Sequence, residues 1–300
     1  MVTPPYLKKG DTLAIVSSAR KITERELEPA IELVSSWGLK VLLGETIGAT
    51  ENQFAGNDAL RLQDLQEQID NPEIKAIWCA RGGYGTVRII DKLDFTAFTR
   101  SPKWILGYSD VTTLHSHIHN LGFETLHAFM AGEVKSKKQT LLDELKQTLF
   151  GKKQSISYTS NDKLNRIGKA TGKLVGGNLS ILYSLCGSAS ALETEGAILF
   201  IEDLDEYLYH VDRMMQNLKR NGMLAKLAGL VVGGMNDMND NTISFGKTAK
   251  EIIREAVADY NYPVCFNFPA GHVNENKTLI LGRRSELIVT NKNVSLEFGT

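Results

Sequence analysis

One segment has the makings of a nucleophile seat. In Ile105-Leu-Gly-Tyr-Ser-Asp-Val-Thr-Thr-Leu-His115 an apolar run ends at Gly107, Ser109 follows, and a helical pattern begins. A tight turn from strand to helix lifts a serine hydroxyl above the edge of a sheet. The helix behind it aims its first amides and its positive dipole end at any oxyanion formed there. The pattern departs from G-x-S-x-G, because Val111 stands where the last glycine would be. Ser109 or Asp110 would also suit a plain helix N-cap.

Three other places could carry chemistry. Arg81-Gly-Gly-Tyr-Gly85 follows an apolar run, and such glycines let backbone amides approach a phosphate or an oxyanion closely. No Lys-Ser/Thr and no full G-x-G-x-x-G accompany it, so it is either a ligand loop or a structural turn. Ile198-Leu-Phe-Ile-Glu-Asp-Leu-Asp-Glu206 is an apolar run discharging into four acids. Those acids fit a divalent-metal cradle, an orienting carboxylate at Glu202 just beyond the strand, or a solvated turn capping the next helix. Among six histidines, His115, His117, His119 and His127 crowd one region without an H-E-x-x-H pattern and fit surface or core positions. His272 differs, because Phe268-Pro-Ala-Gly-His-Val-Asn-Glu-Asn276 is a loop bounded by Pro and Gly where an imidazole can be held in the open.

Something must position these residues. Apolar runs at 12–17, 40–43, 74–80 and 104–108 predict strands, and they alternate with helical patterns at 24–36, 57–69, 87–93 and 111–121. Such alternation predicts a parallel sheet covered on both faces. After a helix at 140–150 the texture turns polar, so 1–150 is expected as an N-terminal nucleophile domain and 151–171 as a linker. The remainder, 172–300, is expected as a mixed α/β domain, with strands at 172–175, 197–201, 227–233, 263–266, 278–281 and 286–290.

The whole chain narrows the class. Its 300 residues suit two domains, and 42% hydrophobic with 23% charged residues is a globular balance. A net charge of −1 supplies no field for nucleic acid or an anionic membrane, and neither partner is expected. Cys79, Cys186 and Cys265 are scattered, which predicts buried free thiols rather than a zinc or redox site. The N-terminus lacks the apolar core of a signal peptide, and no apolar run approaches the roughly 18 residues of a membrane span. The expected location is cytoplasmic.

Taken together, Arg81-Gly-Gly-Tyr-Gly85, Gly107-Tyr-Ser-Asp110, Gly176-Gly-Asn178, Glu202-Asp203 with Tyr207 and Asp212-Arg213, and Gly271-His272 resemble the LD-carboxypeptidases, serine peptidases of bacterial cell-wall recycling, and their microcin-immunity relatives. The resemblance spans nearly the whole chain. It departs at Thr125–Met130, which lacks a Gly-Pro after His127. It implies a flavodoxin-like N-terminal domain, a smaller mixed α/β C-terminal domain and a homodimer. It also implies Ser109, Glu202 and His272 as catalytic triad, the Gly83 and Asp110 amides as oxyanion hole, and Arg81, Tyr84 and Asn178 beside the substrate. The implied substrate is a muropeptide, cleaved between the L-centre of a diamino acid and a terminal D-alanine, with no metal or organic cofactor. Three rivals follow: an immunity-type amidase acting on acyl-sulfamoyl nucleotides, a non-catalytic small-molecule binding module, and a metal-dependent hydrolase built on the acids at 202–206.

Overall fold

In the first part of the chain short strands alternate with helices. The strands are β1 (Thr12–Val16), β2 (Lys40–Leu43), β3 (Ile74–Cys79), β4 (Trp104–Gly107) and β5 (Thr125–His127). The helices are α1 (Glu24–Ser36), α2 (Asp58–Asp70), α3 (Thr96–Arg100), α4 (Thr112–Asn120) and α5 (Gln139–Leu149). Helix α1 shows why these positions are helical. Thr23 and Glu26 form a capping box, and Leu27, Ala30 and Val34 recur on the buried face. The pairs β1–β2, β1–β3, β3–β4 and β4–β5 are all parallel. The order β5-β4-β3-β1-β2, with Leu279–Leu281 at the β5 edge, contains the flavodoxin-like arrangement.

The computed structural model describes residues 1–299. They form two units, Met1–Lys152 with Lys277–Leu279, and Lys153–Asn276 with the chain from Ile280 onward.

The second unit is built on β6 (Ser155–Thr159), β7 (Gly168–Asn178), β8 (Ile198–Leu204), β9 (Gly229–Asn236) and β10 (Val264–Cys265). After β11 (Leu279–Leu281), the strand already placed in the first sheet, come β12 (Arg284–Val289) and β13 (Asn293–Phe298). Its sheet runs β10-β9-β8-β7-β12-β13-β6. The β7–β8, β8–β9 and β9–β10 pairs are parallel, and the β7–β12, β12–β13 and β13–β6 pairs antiparallel. Helices α6 (Leu179–Leu185), α7 (Leu208–Arg220) and α8 (Ala249–Ala256) pack on the parallel half, where Leu199, Ile201, Val211, Met214, Leu218, Ile252 and Ile253 form a core.

Three sequence expectations are corrected. Residues 151–171 hold β6 and the start of β7 rather than a bare connection. Ile156 is buried while Ser155, Ser157 and Thr159 point outward, so a period of two was hidden by polar outward residues. The helix expected at 87–93 is two 3₁₀ turns, Thr86–Arg88 and Ile90–Lys92, in a stretch rich in β-branched side chains that disfavour a longer helix. Glu202 lies inside β8 and not beyond it.

The cysteines are free; Cys79 and Cys265 are buried, while Cys186 is only partly so. No helix among the described residues is long and apolar enough to cross a membrane.

Candidate active site

Ser109 sits two residues past β4 and opens the 3₁₀ turn Ser109–Val111 that leads into α4. Its φ is +57°. For a residue with a side chain this left-handed backbone costs about 1–2 kcal/mol, and such strain concentrates at functional sites. Neither the 3₁₀ turn nor α4 has a side-chain N-cap bond, so neither Ser109 nor Asp110 acts as a helix cap. The Val111 problem is solved at Gly107. A methyl group there would come within 2.8 Å of Val111 Cγ2, so the missing side chain at Gly107 makes the room that the pattern usually makes two residues after the serine.

Two buried side chains hold this turn, and sequence reasoning gave neither that task. Asp110, 1% exposed, accepts the Thr86 N–H at 2.9 Å, which ties the turn to the end of the glycine segment. Burial raises its pKa above the usual carboxylate range, against the pull of its hydrogen bonds. His115 Nε2 lies 2.9 Å from the Gly107 carbonyl. Burial pushes its pKa down to about 3, so the ring is neutral and donates from Nε2. His115 and His119 stack at 6.4 Å in the core.

The glycine segment lies against the serine. A Cβ on Gly82 would be 3.3 Å from Ser109 Cβ and 3.4 Å from Ser109 Oγ. Gly83 has φ +110°, and a Cβ there would meet the Arg20 side chain at 2.6 Å. The segment leaves β3 next to β1, at the switch point where parallel sheets of this order bind ligands. Arg81 and Tyr84 point elsewhere. Arg81 is exposed and bonds the Lys21 carbonyl and Glu26, each at 3.3 Å; Tyr84 is 46% exposed and leans on Phe54.

In the second unit Glu202 is fully buried. It lies where the β8–β9 register shifts: Ile201 pairs with Val232 and Asp203 with Met235, so Glu202 faces both Gly233 and Gly234. Such a bulge re-aims a side chain at the end of a strand. Glu202 Oε2 accepts the His272 backbone N–H at 3.0 Å and lies 2.6 Å from His272 Nδ1. Gly271 makes this possible with φ +101°, since a Cβ there would sit 2.6 Å from the Glu202 side chain. The loop is pinned further: Asn276 Oδ1 accepts the Gly271 N–H at 2.8 Å, and Asn236 Nδ2 donates to the His272 carbonyl. With Nδ1 donating to the carboxylate, Nε2 is the nitrogen that takes a proton.

Asp203 and Asn178 complete the support. Asn178 caps α6 through its Oδ1 and donates to Asp203 Oδ1 at 2.9 Å, so its amide is committed to the scaffold rather than turned to a ligand. Burial, then the neighbouring Glu202 charge, pushes Asp203 up to about 7. Among the described residues no group of three or more His, Cys, Asp or Glu side chains is arranged to hold a metal ion. The acids at 202–206 diverge: Glu202 goes to His272, Asp203 to Asn178 and Ser180, Asp205 to Asn239, and Glu206 to His210.

Known proteins resemble this chain in sequence and fold. The LD-carboxypeptidase N-terminal domain matches residues 13–128 and the LD-carboxypeptidase C-terminal domain residues 171–287. A probable murein peptide carboxypeptidase of Bacillus subtilis is 33% identical over 99% of this chain and 94% of its own. The microcin C7 self-immunity protein MccF of Escherichia coli is 27% identical over 97% of this chain and 94% of its own. The crystal structure of a muramoyltetrapeptide carboxypeptidase from Oxalobacter formigenes superposes with a TM-score of 0.86 at 27% identity, covering 96% of this chain and 99% of the other. With both domains matched and a relative this similar along the full length, the chain belongs to the LD-carboxypeptidase family of serine peptidases.

Proposed function

We propose that Ser109 is the nucleophile, His272 the general base and Glu202 the residue that orients it. The observation that carries this reading is the 2.6 Å contact of Glu202 Oε2 with His272 Nδ1, which selects the tautomer able to deprotonate a hydroxyl at Nε2. The strained backbone of Ser109 at the end of β4 supports it.

In the proposed reaction His272 Nε2 takes the proton of Ser109 Oγ as that oxygen bonds to a carbonyl carbon. The resulting oxyanion is held by the amides of Gly83 and Asp110, each contributing on the order of 3 kcal/mol. The imidazolium, steadied by Glu202, returns its proton to the leaving amine as the C–N bond breaks. Water, deprotonated by the same ring, then releases the acyl group from Ser109.

The substrate we infer is a muropeptide whose terminal D-alanine is removed from the L-centre of a diamino acid, in cell-wall recycling by a cytoplasmic homodimer. The carboxypeptidase names of the relatives support it. A second reading, hydrolysis of an aminoacyl-sulfamoyl nucleoside, is favoured by full-length similarity to MccF, one solved structure of which holds aspartyl sulfamoyl adenosine. Incubation with disaccharide-tetrapeptide, and separately with aspartyl sulfamoyl adenosine, decides between them by mass. Release of D-alanine is expected. Cleavage of the nucleoside alone would establish the second reading.

A further inference from the structure

Beyond the carboxyl ends of the parallel strands β8, β9 and β10 lies a cavity of about 530 Å³, within the second unit. Parallel sheets present their ligand sites at this edge. Residues of the His272 loop, Phe268, Pro269, Val273 and Glu275, form part of its wall, but none of the five residues given catalytic roles above lines it. The size suits a small molecule or part of a peptide.

What the cavity offers is lopsided. Leu208, Met235, Met238, Phe268 and Val273 supply apolar walls. Each side-chain donor already has a partner. Lys250 Nζ binds Asp162 Oδ2 at 2.8 Å, Asn267 Nδ2 binds the same oxygen at 2.9 Å, and Thr248 Oγ1 donates to Glu251 at 2.8 Å. Asn236 Nδ2 is taken by the His272 carbonyl. Two side-chain acceptors remain without a hydrogen bond among the described residues: Asn236 Oδ1 and the carboxylate of Glu275. Glu275 is exposed at the rim and has no ion-pair partner there. Apolar walls with two unbonded acceptors suit a chain that ends in a donor, and a carboxylate as one of them favours a cation.

We propose that this cavity receives an aliphatic side chain ending in an ammonium group, with Glu275 and Asn236 Oδ1 as its acceptors. Resting on the muropeptide reading, that side chain belongs to the diamino acid whose carbonyl Ser109 attacks. The lining ammonium, Lys250, is already paired with Asp162, so a second carboxylate on the side chain meets no unpaired cation there and faces the Glu275 charge. The site therefore selects lysine-type side chains over those that also carry a distal carboxylate. Asn236 joins this selection to the chemistry, because its amide also holds the main chain of the general base.

The test compares kcat/KM for D-alanine release from three tetrapeptides differing at the third residue: L-lysine, L-norleucine and meso-diaminopimelate. The lysine peptide should lead both others by about tenfold or more, the range of a charge-assisted hydrogen bond. In Glu275→Gln the ratio of lysine to norleucine should collapse towards one, mainly through KM. Glu275→Lys should shift preference to diaminopimelate. An unaltered lysine-to-norleucine ratio in Glu275→Gln, or diaminopimelate as the best wild-type substrate, overturns the assignment. If no peptide is cleaved, the muropeptide reading fails and the cavity is judged by binding alone. Nα-acetyl-L-lysine methylamide should then shift the methyl resonances of Met235 and Met238, and neither its norleucine counterpart nor the Glu275→Gln protein should show that shift. Equal shifts in all cases, or none, reject the site.

Discussion

Glu202 Oε2 binds His272 twice, at the ring Nδ1 and at the backbone N–H. One buried oxygen thus sets both the tautomer of the imidazole and the position of the loop that carries it. Glu202→Gln should keep the fold but cut turnover on the order of 10⁴-fold, as a wrong or unstabilised tautomer does. Steady-state D-alanine release beside a melting curve checks this. A near-normal rate in the folded variant would leave Glu202 a purely structural residue.

Gly271 is the second point of leverage. Gly271→Ala must place a methyl group 2.6 Å from Glu202 on a backbone with φ +101°. Backbone strain and overpacking together should destabilise the protein by about 2–4 kcal/mol. Turnover should fall further than the folded fraction does, because the clash displaces Glu202 from His272. Denaturant titration with activity per folded molecule separates the two. An unchanged midpoint would contradict the packing described.

The buried histidines set a pH dependence of stability. Burial, then the repulsion that a second proton would meet from His115, holds the His119 pKa down to about 3 in the folded protein, against about 6.5 when unfolded. The unfolded chain therefore binds more protons between these values, and stability is lost as pH falls from about 6.5 towards 3. The slope is up to about 1.4 kcal/mol per pH unit for each such histidine. His119→Gln can keep a bond to Thr125 Oγ1, now 3.0 Å from His119 Nε2, and cannot titrate. Its stability should fall less steeply between pH 6.5 and 4 than that of the wild type. Parallel curves would show that His119 is protonated in the native state.

How far the sequence could be read depended on how local each signal is. The parallel sheet was legible because apolar runs and amphipathic helices alternate over short spans, and the turn at Ser109 because Gly107 and the following helix lie within a few residues. The supports of that turn were not. Asp110 meets Thr86 and His115 meets Gly107 only once β3, β4 and α4 are packed, and a buried aspartate looks like any other in a sequence. The acids after Ile201 left three readings open, a metal cradle, an orienting carboxylate and a solvated turn, all of them placed beyond the strand's end. Instead β8 continues through Glu202 and Asp203, whose burial rests on partners 70 and 25 residues away. No spacing rule links Glu202 to His272. Only the family resemblance joined them ahead of the structure.

The account stands or falls on Ser109 and His272 acting as a unit. Ser109→Ala removes the attacking oxygen, and His272→Ala removes the base that activates it. Each should cost on the order of 10⁴-fold or more in turnover, with the remaining rate supplied by binding and the oxyanion hole. Substrate affinity should change far less. The decisive measurement is kcat for D-alanine release in the double variant, with all three proteins shown to be folded. The account predicts a double variant scarcely slower than either single one, because the second change removes nothing that still functions. Losses that multiply in the double variant would mean that the two residues act independently, and the triad would be wrong.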